Sequence, residues 1–109
     1  MDSGATYACR MDRVDVARAL ASDVRLRILE LLKDPRSNFM SQREGDLSDA
    51  GACVSVIARE VGVSQPTVSR HLEILRRAGL IDTERVAQWN FHRRDEAGIR
   101  RAQELLSDV

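Results

Sequence analysis

The stretch that most constrains the fold is one in which two helical patterns are separated by a single glycine. Apolar residues recur at helical spacing up to Val61, Gly62 interrupts the pattern, and a second periodic segment covers residues 65–78. Residues typical of a helix N-cap, a first helical turn and a helix end stand at Ser64, Pro66 and Gly79. Residues 56–79 are therefore predicted to form a helix-turn-helix.

The helix predicted over residues 65–78 has two different faces. Its apolar positions, at steps of four, three and four, are Val68, Leu72, Leu75 and Gly79. The opposite side carries short hydrogen-bonding side chains near the helix start and charged side chains further along. Such a pattern suits a helix whose first turns contact base edges while later residues hold phosphates. An ordinary solvated face of a surface helix is the alternative, and this helix alone does not decide between the two.

Length and composition exclude several classes of protein. A chain of 109 residues is expected to form one domain, and its 43% hydrophobic and 31% charged residues are typical of soluble globular proteins. No apolar run has the length of a membrane helix or a signal-peptide core, so we expect a cytoplasmic protein. With two histidines, no glycine-rich phosphate loop and no nucleophile beside a base, we do not expect an enzyme.

Charge is unevenly distributed although the formal net charge is zero. Residues 54–101 contain nine arginines and six acidic residues, a net charge of plus three. Residues 34–53 contain four acidic residues and two arginines, a net charge of minus two. Positive charge is thus concentrated around the predicted helix-turn-helix, as a nucleic-acid-binding surface requires.

The first half of the chain is predicted to be an arm, two helices and a loop. Residues 1–10 lack a clear period and are expected to be a flexible N-terminal arm of the domain formed by residues 11–109. A first short helix has Val14, Ala17, Leu20 and Ala21 at helical spacing, and a second covers residues 23–33. Residues 36–52 are predicted to be a long acidic loop without regular structure. A short strand at residues 52–54 and a helix capped by Ser55 should follow.

The chain after the helix-turn-helix is predicted to form a β-hairpin and a last helix. Apolar or aromatic residues alternate with polar ones in two runs within residues 80–94, joined near residues 86–88. Asp95 is expected to cap the last helix, in which the apolar stripe is Ile99, Ala102 and Leu106. The predicted fold is mainly α-helical with one small β-hairpin, and a helix-turn-helix followed by a hairpin is the winged helix arrangement.

Within winged helices, the sequence resembles the ArsR/SmtB family of bacterial transcriptional regulators. The residues that carry this resemblance lie in 19–32, 53–58, 64–72 and 78–81, and the match is strongest over 64–80. The resemblance implies a homodimer formed through the first and last helices. It also implies a repressor that binds a palindromic operator with helix 65–78 in the major groove and responds to a small effector.

Specific residues can be assigned within this DNA-binding interpretation. Base contacts are expected from Gln65, Thr67 and Arg70. Phosphate contacts are expected from Ser64, Ser69, His71 and Arg77. Contacts of the wing, residues 80–94, with the minor groove or flanking backbone are expected from Arg85, Gln88 and Arg93. The alternative is a winged helix that uses the same face to bind a partner protein.

The part of the sequence that would sense an effector departs from the family. Metal-sensing relatives have a Cys-Val-Cys motif, whereas this chain has Cys53, Val54 and Ser55, and a serine is a poor ligand for soft metals. Cys9 could supply a second thiolate, which would make a metal-responsive or thiol-responsive sensor; the alternative is a structural Cys53 and an incidental Cys9.

The sequence contains two other places where an effector site could lie. The family site on the last helix requires histidines, and this helix has none although Asp95 and Glu104 are present, so we expect that site to be absent. Glu44, Asp46 and Asp49 could bind a hard cation through oxygen atoms, but a solvated acidic loop is the simpler interpretation. A metal ion held by Cys9 and Cys53 therefore remains the alternative to a protein without a cofactor, although the usual cysteine pair is incomplete.

Overall fold

The computed structural model describes residues 12–39 and 45–109, in which six helices and four short strands form. The helices are α1 (Arg13–Leu20), α2 (Asp23–Leu31), α3 (Pro35–Asn38), α4 (Val54–Val61), α5 (Gln65–Arg77) and α6 (Glu96–Leu106). The strands are β1 (Leu47–Ser48), β2 (Gly51–Ala52), β3 (Ile81–Val86) and β4 (Trp89–Arg94). The predicted fold class, mainly α-helical with a small β-hairpin, is confirmed.

The strands form one antiparallel sheet in the order β1-β2-β4-β3. β3 and β4 pair along their whole length, from Ile81 opposite Arg94 to Val86 opposite Trp89, so that the connecting turn contains only Ala87 and Gln88. β2 joins the sheet where Ala52 lies opposite His92. The hairpin predicted after the helix-turn-helix is therefore present. Its second strand, β4, also pairs with β2, which lies in the segment just before α4.

The prediction for residues 36–52 is wrong in part, because its described residues are not a loop without regular structure. α3 begins at Pro35, and strands β1 and β2 make a second, very small hairpin at the edge of the sheet. The backbone N–H of Cys53 donates to the Asp46 carbonyl oxygen at 2.9 Å, which closes this hairpin. Two-residue strands are too short to produce an alternating pattern, so no periodicity signals them in the sequence. Residues 40–44 lie outside the described residues.

The start of α4 also differs from the prediction. The strand ends at Ala52, and Cys53, not Ser55, occupies the N-cap position with extended backbone angles of φ −84° and ψ 164°. The Ser55 hydroxyl oxygen lies inside the helix, 3.0 Å from the Cys53 sulfur. Serine is a frequent N-cap residue, but here the paired strand β2 leads directly into the helix two residues earlier.

Each long helix buries one face in a single core. Its largest fully buried side chains include Val16 of α1, Ile28 of α2, Ile57 of α4, and Val68 and Leu75 of α5. The predicted inner faces are confirmed at Val68, Leu72 and Leu75 of α5 and at Ile99 and Ala102 of α6, whereas Gly79 and Leu106 are only half-buried. The predicted face of α1 is wrong, because Val16 and Ala19 are buried whereas Val14 is 56% exposed. α1 packs on α2 and α6, and that contact selects a different stripe of its surface.

A close backbone contact joins the last helix to the end of α5. A Cβ atom built on Gly98, in the first turn of α6, would collide with the carbonyl oxygen of Gly79, the residue after the C-cap of α5. Asp95 caps α6 by accepting a hydrogen bond from the Gly98 N–H at 3.0 Å, as predicted for this residue. The absence of a side chain at Gly98 therefore lets α6 lie directly against the turn that leads from α5 into β3.

Replacing Gly98 with alanine should destabilise the protein. The added methyl group has no space, and forcing it against backbone atoms should lower the free energy of unfolding by about 1–3 kcal/mol. Urea denaturation followed by circular dichroism measures this loss. The control is Ala97→Ser, an addition of one atom at an exposed neighbour, which should change stability by less than about 0.5 kcal/mol. Equal stability of the two variants would contradict the close contact.

Candidate DNA-binding surface

The turn between α4 and α5 sets the direction of the second helix. Gly62 ends α4 in the left-handed region, with φ 75° and ψ 29°, and its N–H donates to the Ala58 carbonyl oxygen at 2.9 Å. Ser64 then caps α5, because its hydroxyl oxygen accepts the Thr67 N–H at 3.4 Å and also donates to the Thr67 hydroxyl oxygen at 3.0 Å. The predicted helix-turn-helix is thus present, and Ser64 is the N-cap of its second helix.

The outer face of α5 is polar and exposed over its first two turns. Val68, Leu72 and Leu75 bury the inner face completely. The exposed side chains on the other side are those of Gln65, Thr67, Ser69 and Arg70. Within residues 12–39 and 45–109, neither Gln65 nor Arg70 makes a side-chain hydrogen bond or a salt bridge. These side chains can therefore form hydrogen bonds with a ligand without breaking existing ones.

The later part of α5 carries a three-residue ionic network. Glu73 accepts two hydrogen bonds from Arg76, at 3.0 and 2.7 Å, and one from Arg77 at 2.8 Å. These bonds to Arg76 and Arg77 hold the pKa of Glu73 below its usual value. Arg77, a predicted phosphate contact, is therefore exposed but already paired. Sequence reasoning missed the pairing, although the spacing of three and four residues from Glu73 is a signal for it.

His71 projects from α5 toward α2. Its Nδ1 atom lies 2.9 Å from the guanidinium nitrogen Nη1 of Arg25. Burial is the main cause that lowers the pKa of His71, and the nearby charges of Arg25 and Arg70 lower it further. Of the predicted phosphate contacts, His71 is thus the one that the fold holds in place by a bond between two helices.

The two wing arginines predicted to contact DNA are in different situations. Arg93 forms salt bridges with Asp82 at 3.1 Å and Glu84 at 3.3 Å, whereas Arg85 is exposed and has no side-chain partner among the described residues. Asp82 lies directly opposite Arg93 in the sheet. Sequence reasoning missed this pairing because it depends on the register of the hairpin, which the two-residue turn at Ala87 and Gln88 sets.

A second cross-strand pair lies on the opposite side of the wing. The Thr83 hydroxyl oxygen is 2.9 Å from Nδ1 of His92. Burial lowers the pKa of His92. His92 also lies opposite Ala52 of β2, so its place is at the junction of the hairpin with the start of α4.

A groove of about 560 Å³ separates α5 from the wing. Among the residues that line it are Gln65, Ser69, Glu73, Arg76, Gln88 and Trp89. Trp89 is 50% exposed and was not among the predicted contacts, although an exposed aromatic residue beside a basic helix is a signal for nucleic-acid binding. The groove brings predicted contacts from the helix and the wing to the two sides of one channel.

Cys53 lies under this surface and is buried. Its thiol donates to the Asp46 carboxylate at 3.7 Å, and Asp46 also pairs with Arg59 of α4. Asp46 is therefore not part of a solvated acidic loop as expected, since it is the buried anchor of the small hairpin. Cys9 and Glu44 lie outside the described residues. The described parts of the chain contain no cluster of three or more His, Cys, Asp or Glu residues suited to a metal ion.

Comparison with known proteins identifies the class. A helix-turn-helix domain family model matches residues 20–84. The chain is 38% identical over 96 residues to the uncharacterized HTH-type transcriptional regulator YbzH of Bacillus subtilis, covering 88% of this chain and 96% of that protein. It is 36% identical over 78 residues to the arsenic resistance transcriptional regulator ArsR1 of Pseudomonas putida, covering 72% of this chain and 50% of that protein.

A solved structure supports the same class. The homodimeric winged helix-turn-helix DNA-binding domain Mb0332 of Mycobacterium bovis, a possible ArsR-family transcriptional regulator, superimposes with a TM-score of 0.60 and 25% identity, covering 99% of this chain and 89% of that chain. The fold and the matches define a winged helix-turn-helix transcriptional regulator. This chain belongs to the ArsR/SmtB family. In the described ranges, every helix is too short or too polar to cross a bilayer.

The two histidines should make stability depend on pH. Both pKa values are lowered from 6.5 in the folded protein, so the unfolded chain binds protons more readily below that pH. The contribution of the two neutral histidines to the free energy of unfolding is therefore fully present above pH 6.5 and is lost as the pH falls below that value. We expect the melting temperature to decrease between about pH 7.5 and about pH 5.5, a range in which other side chains titrate little.

The matched control for this pH dependence removes both titrating groups. A double variant, His71→Gln and His92→Gln, should melt at a temperature that is nearly constant across the same range, whatever its absolute stability. Differential scanning calorimetry of both proteins measures the two slopes. Parallel slopes for the wild type and the double variant would contradict the assignment to the histidines.

Proposed function

We propose that the protein is a cytoplasmic, sequence-specific repressor that binds a palindromic DNA operator as a homodimer, with helix 65–78 in the major groove. The observation that carries this proposal is the division of α5 into a fully buried inner face and an outer face whose polar side chains have few or no partners. If α5 served only to cover the core, the polar side chains of its first two turns would not need to be free of salt bridges. Base edges are ligands that such side chains suit.

The first turns of α5 supply the base contacts in this proposal. Arg70 can donate two hydrogen bonds to the O6 and N7 atoms of guanine, and Gln65 can form a bidentate pair with adenine. Thr67 is exposed beside them, and its methyl group suits contact with a thymine methyl group. Ser64 and the first N–H groups of α5 point to the same end of the helix and favour a phosphate there.

The groove between α5 and the wing is proposed to hold the phosphodiester strand that separates the major groove from the minor groove. Ser69 of α5 and Gln88 of the wing tip line this groove and contact that strand. His71, which faces α2, and Arg77 lie outside the groove and contact phosphates elsewhere along α5. Trp89, exposed on the same side, can pack on a deoxyribose. Because Arg77 forms a salt bridge with Glu73, it can bind a phosphate only by exchanging the Glu73 carboxylate for the phosphate.

The wing contributes through Arg85 and Arg93 in this proposal. Arg93 cannot be considered alone, because its partners Asp82 and Glu84 are exposed carboxylates on the same face. Removing Arg93 would leave both negative charges unpaired beside the DNA backbone. The loss of affinity would therefore combine one lost attraction with two new repulsions, none of which depends on base sequence.

Exposed apolar side chains on the first two helices support a homodimer formed through α1 and α6. Val14 of α1 is 56% exposed and Leu26 of α2 is 48% exposed. α1 and α6 pack side by side, and Leu105 and Leu106 at the end of α6 are only half-buried. The Mycobacterium bovis relative is homodimeric. A two-fold dimer would present two recognition helices about one DNA turn apart, so the operator would be palindromic.

Two arginine substitutions should separate base contacts from backbone contacts. Arg70→Ala should weaken operator binding by about 1–3 kcal/mol and relax the preference at one base position. Arg93→Ala should weaken binding to the operator and to random DNA by equal factors, for the charge reason given above. Fluorescence of Trp89, the only tryptophan, provides the titration signal at each salt concentration.

The salt dependence tests the proposed ligand itself. Binding to the promoter region of its own gene should weaken steeply as salt increases, because phosphate contacts release counterions. Equal losses on operator and random DNA for Arg70→Ala would refute its role in reading bases. Failure of the wild type to bind that DNA at low salt would reject DNA as the ligand and leave a partner protein for the same face.

A charge on the exposed face of α1 should separate the two subunits. Val14→Asp places a carboxylate in the proposed interface and should convert the dimer to a monomer in sedimentation velocity, with a large loss of operator affinity. The folded monomer should keep its helical circular dichroism because Val14 contributes little to the core. The control is Ser37→Asp, an equal change of charge on exposed α3. A dimer that survives Val14→Asp would place the interface elsewhere.

A further inference from the structure

One guanidinium group connects α1, α2 and α5. Arg25, in the first turn of α2, donates from Nε to the Ala19 carbonyl oxygen at 2.6 Å and from Nη2 to the Arg18 carbonyl oxygen at 3.0 Å. Its Nη1 atom lies 2.9 Å from Nδ1 of His71, in the middle of α5. Its own backbone N–H is held by the Ser22 hydroxyl oxygen at 3.2 Å. Arg25 thus fastens the recognition helix to the last turn of α1.

The chemistry of the two side chains determines which one donates. A guanidinium has five N–H donors, no acceptor, and stays protonated in proteins. A hydrogen bond with His71 therefore requires Nδ1 to be the acceptor, which places the imidazole proton on Nε2. Were Nδ1 protonated, two donors would face each other at 2.9 Å. The contact is compatible with only one tautomer of a neutral imidazole.

The charges around His71 favour the same form. The facing charged group on α2 is Arg25, and Arg70 is adjacent on α5; both oppose a second proton on the ring, and burial opposes it more strongly. Among the described residues, no carboxylate forms a hydrogen bond with either ring nitrogen. Nε2–H has no described hydrogen-bond partner within the protein, so it can donate to a ligand.

We propose that Arg25 is a positioning residue for DNA binding, which holds His71 as the Nε2–H tautomer so that this N–H donates to a DNA phosphate. The proposal rests on the proposed function, since a phosphate lies beside α5 only if that helix enters the major groove. Arg25 does not contact DNA in this arrangement. It acts through His71, and its two bonds to carbonyl groups of α1 hold its guanidinium group in place beside the imidazole ring.

The first experiment reads the tautomer directly in the protein without DNA. Long-range proton–nitrogen correlation spectra distinguish Nδ1–H, Nε2–H and imidazolium, and the chain has only two histidines, so His92→Gln assigns both signals. Above the usual histidine pKa, at about pH 8, the wild type should show His71 as Nε2–H. Arg25→Met should give a mixture of both tautomers. A wild-type Nδ1–H signal, or an unchanged spectrum in Arg25→Met, would overturn the proposal.

The matched control for this spectrum is on the same helix. Arg27 is exposed, two residues further along α2, and lies 3.8 Å from Glu60, so Arg27→Met removes an equal charge without touching the histidine. It should leave the His71 tautomer unchanged. Arg25→Lys keeps a donor-only cation near Nδ1 and should retain Nε2–H even if the methionine variant folds poorly; loss of that tautomer in the lysine variant would contradict the proposal.

The second experiment is a double-mutant cycle on operator affinity. His71→Phe should weaken binding about tenfold, as expected for the loss of one charge-assisted hydrogen bond. Arg25→Met should weaken it less, about two- to fivefold, because a fraction of the tautomer mixture still carries Nε2–H. The double variant should bind no more weakly than His71→Phe alone, because Arg25 acts only through His71. Arg27→Met should cost much less than either. If the two single losses multiply instead, Arg25 acts independently of His71 and the proposal fails.

The outcomes separate this inference from the function on which it rests. Absence of any operator binding by the wild type would overturn the proposed function, and the role of Arg25 in DNA binding with it. Wild-type binding with multiplicative losses would overturn only the role of Arg25. Wild-type binding, non-multiplicative losses and a tautomer that changes with Arg25→Met but not with Arg27→Met would support both.

Discussion

Burial of the inner face of α5 is the constraint on which the rest of the structure depends. Val68, Leu72 and Leu75 pack against α2, α4 and β3, and every other long element contributes to the same core. Because these three positions recur at helical spacing, burying them determines the rotation of α5 about its own axis. That rotation decides that Gln65 and Arg70 face outward, so the same packing that stabilises the domain also presents its polar surface.

Much of the fold was predictable because its longer elements repeat a pattern many times. The helix-turn-helix combines about six turns of periodic sequence with strong caps at Gly62 and Ser64, and the wing alternates over two six-residue strands. The errors lie where there is no such repetition. β1 and β2 have two residues each, and the inner face of α1 depends on its contact with α6, which eight residues of sequence do not reveal.

The candidate site could be predicted as a set of residue types but not as a set of partners. Ser64, Gln65 and Arg70 were expected on an outer helix face, and the structure places them there. Which side chains of this surface are free to form hydrogen bonds with a ligand depends on which arginines already form salt bridges. The contact of Arg25 with His71 joins residues 46 positions apart, and that of Arg93 with Asp82 requires the strand register. Only the pairing of Glu73 with Arg76 and Arg77 was readable from spacing.

The network around Glu73 bears on how such a protein finds one site in a genome. Two of the three arginines on α5 share one carboxylate, and two acids of the wing offset Arg93, so much of the positive charge on this surface is already paired. Attraction to arbitrary DNA grows with unpaired positive charge, and every arbitrary sequence competes for the protein. In the proposed function, internal pairing of these charges would shorten residence on such sequences and leave discrimination to the unpaired side chains at the start of α5.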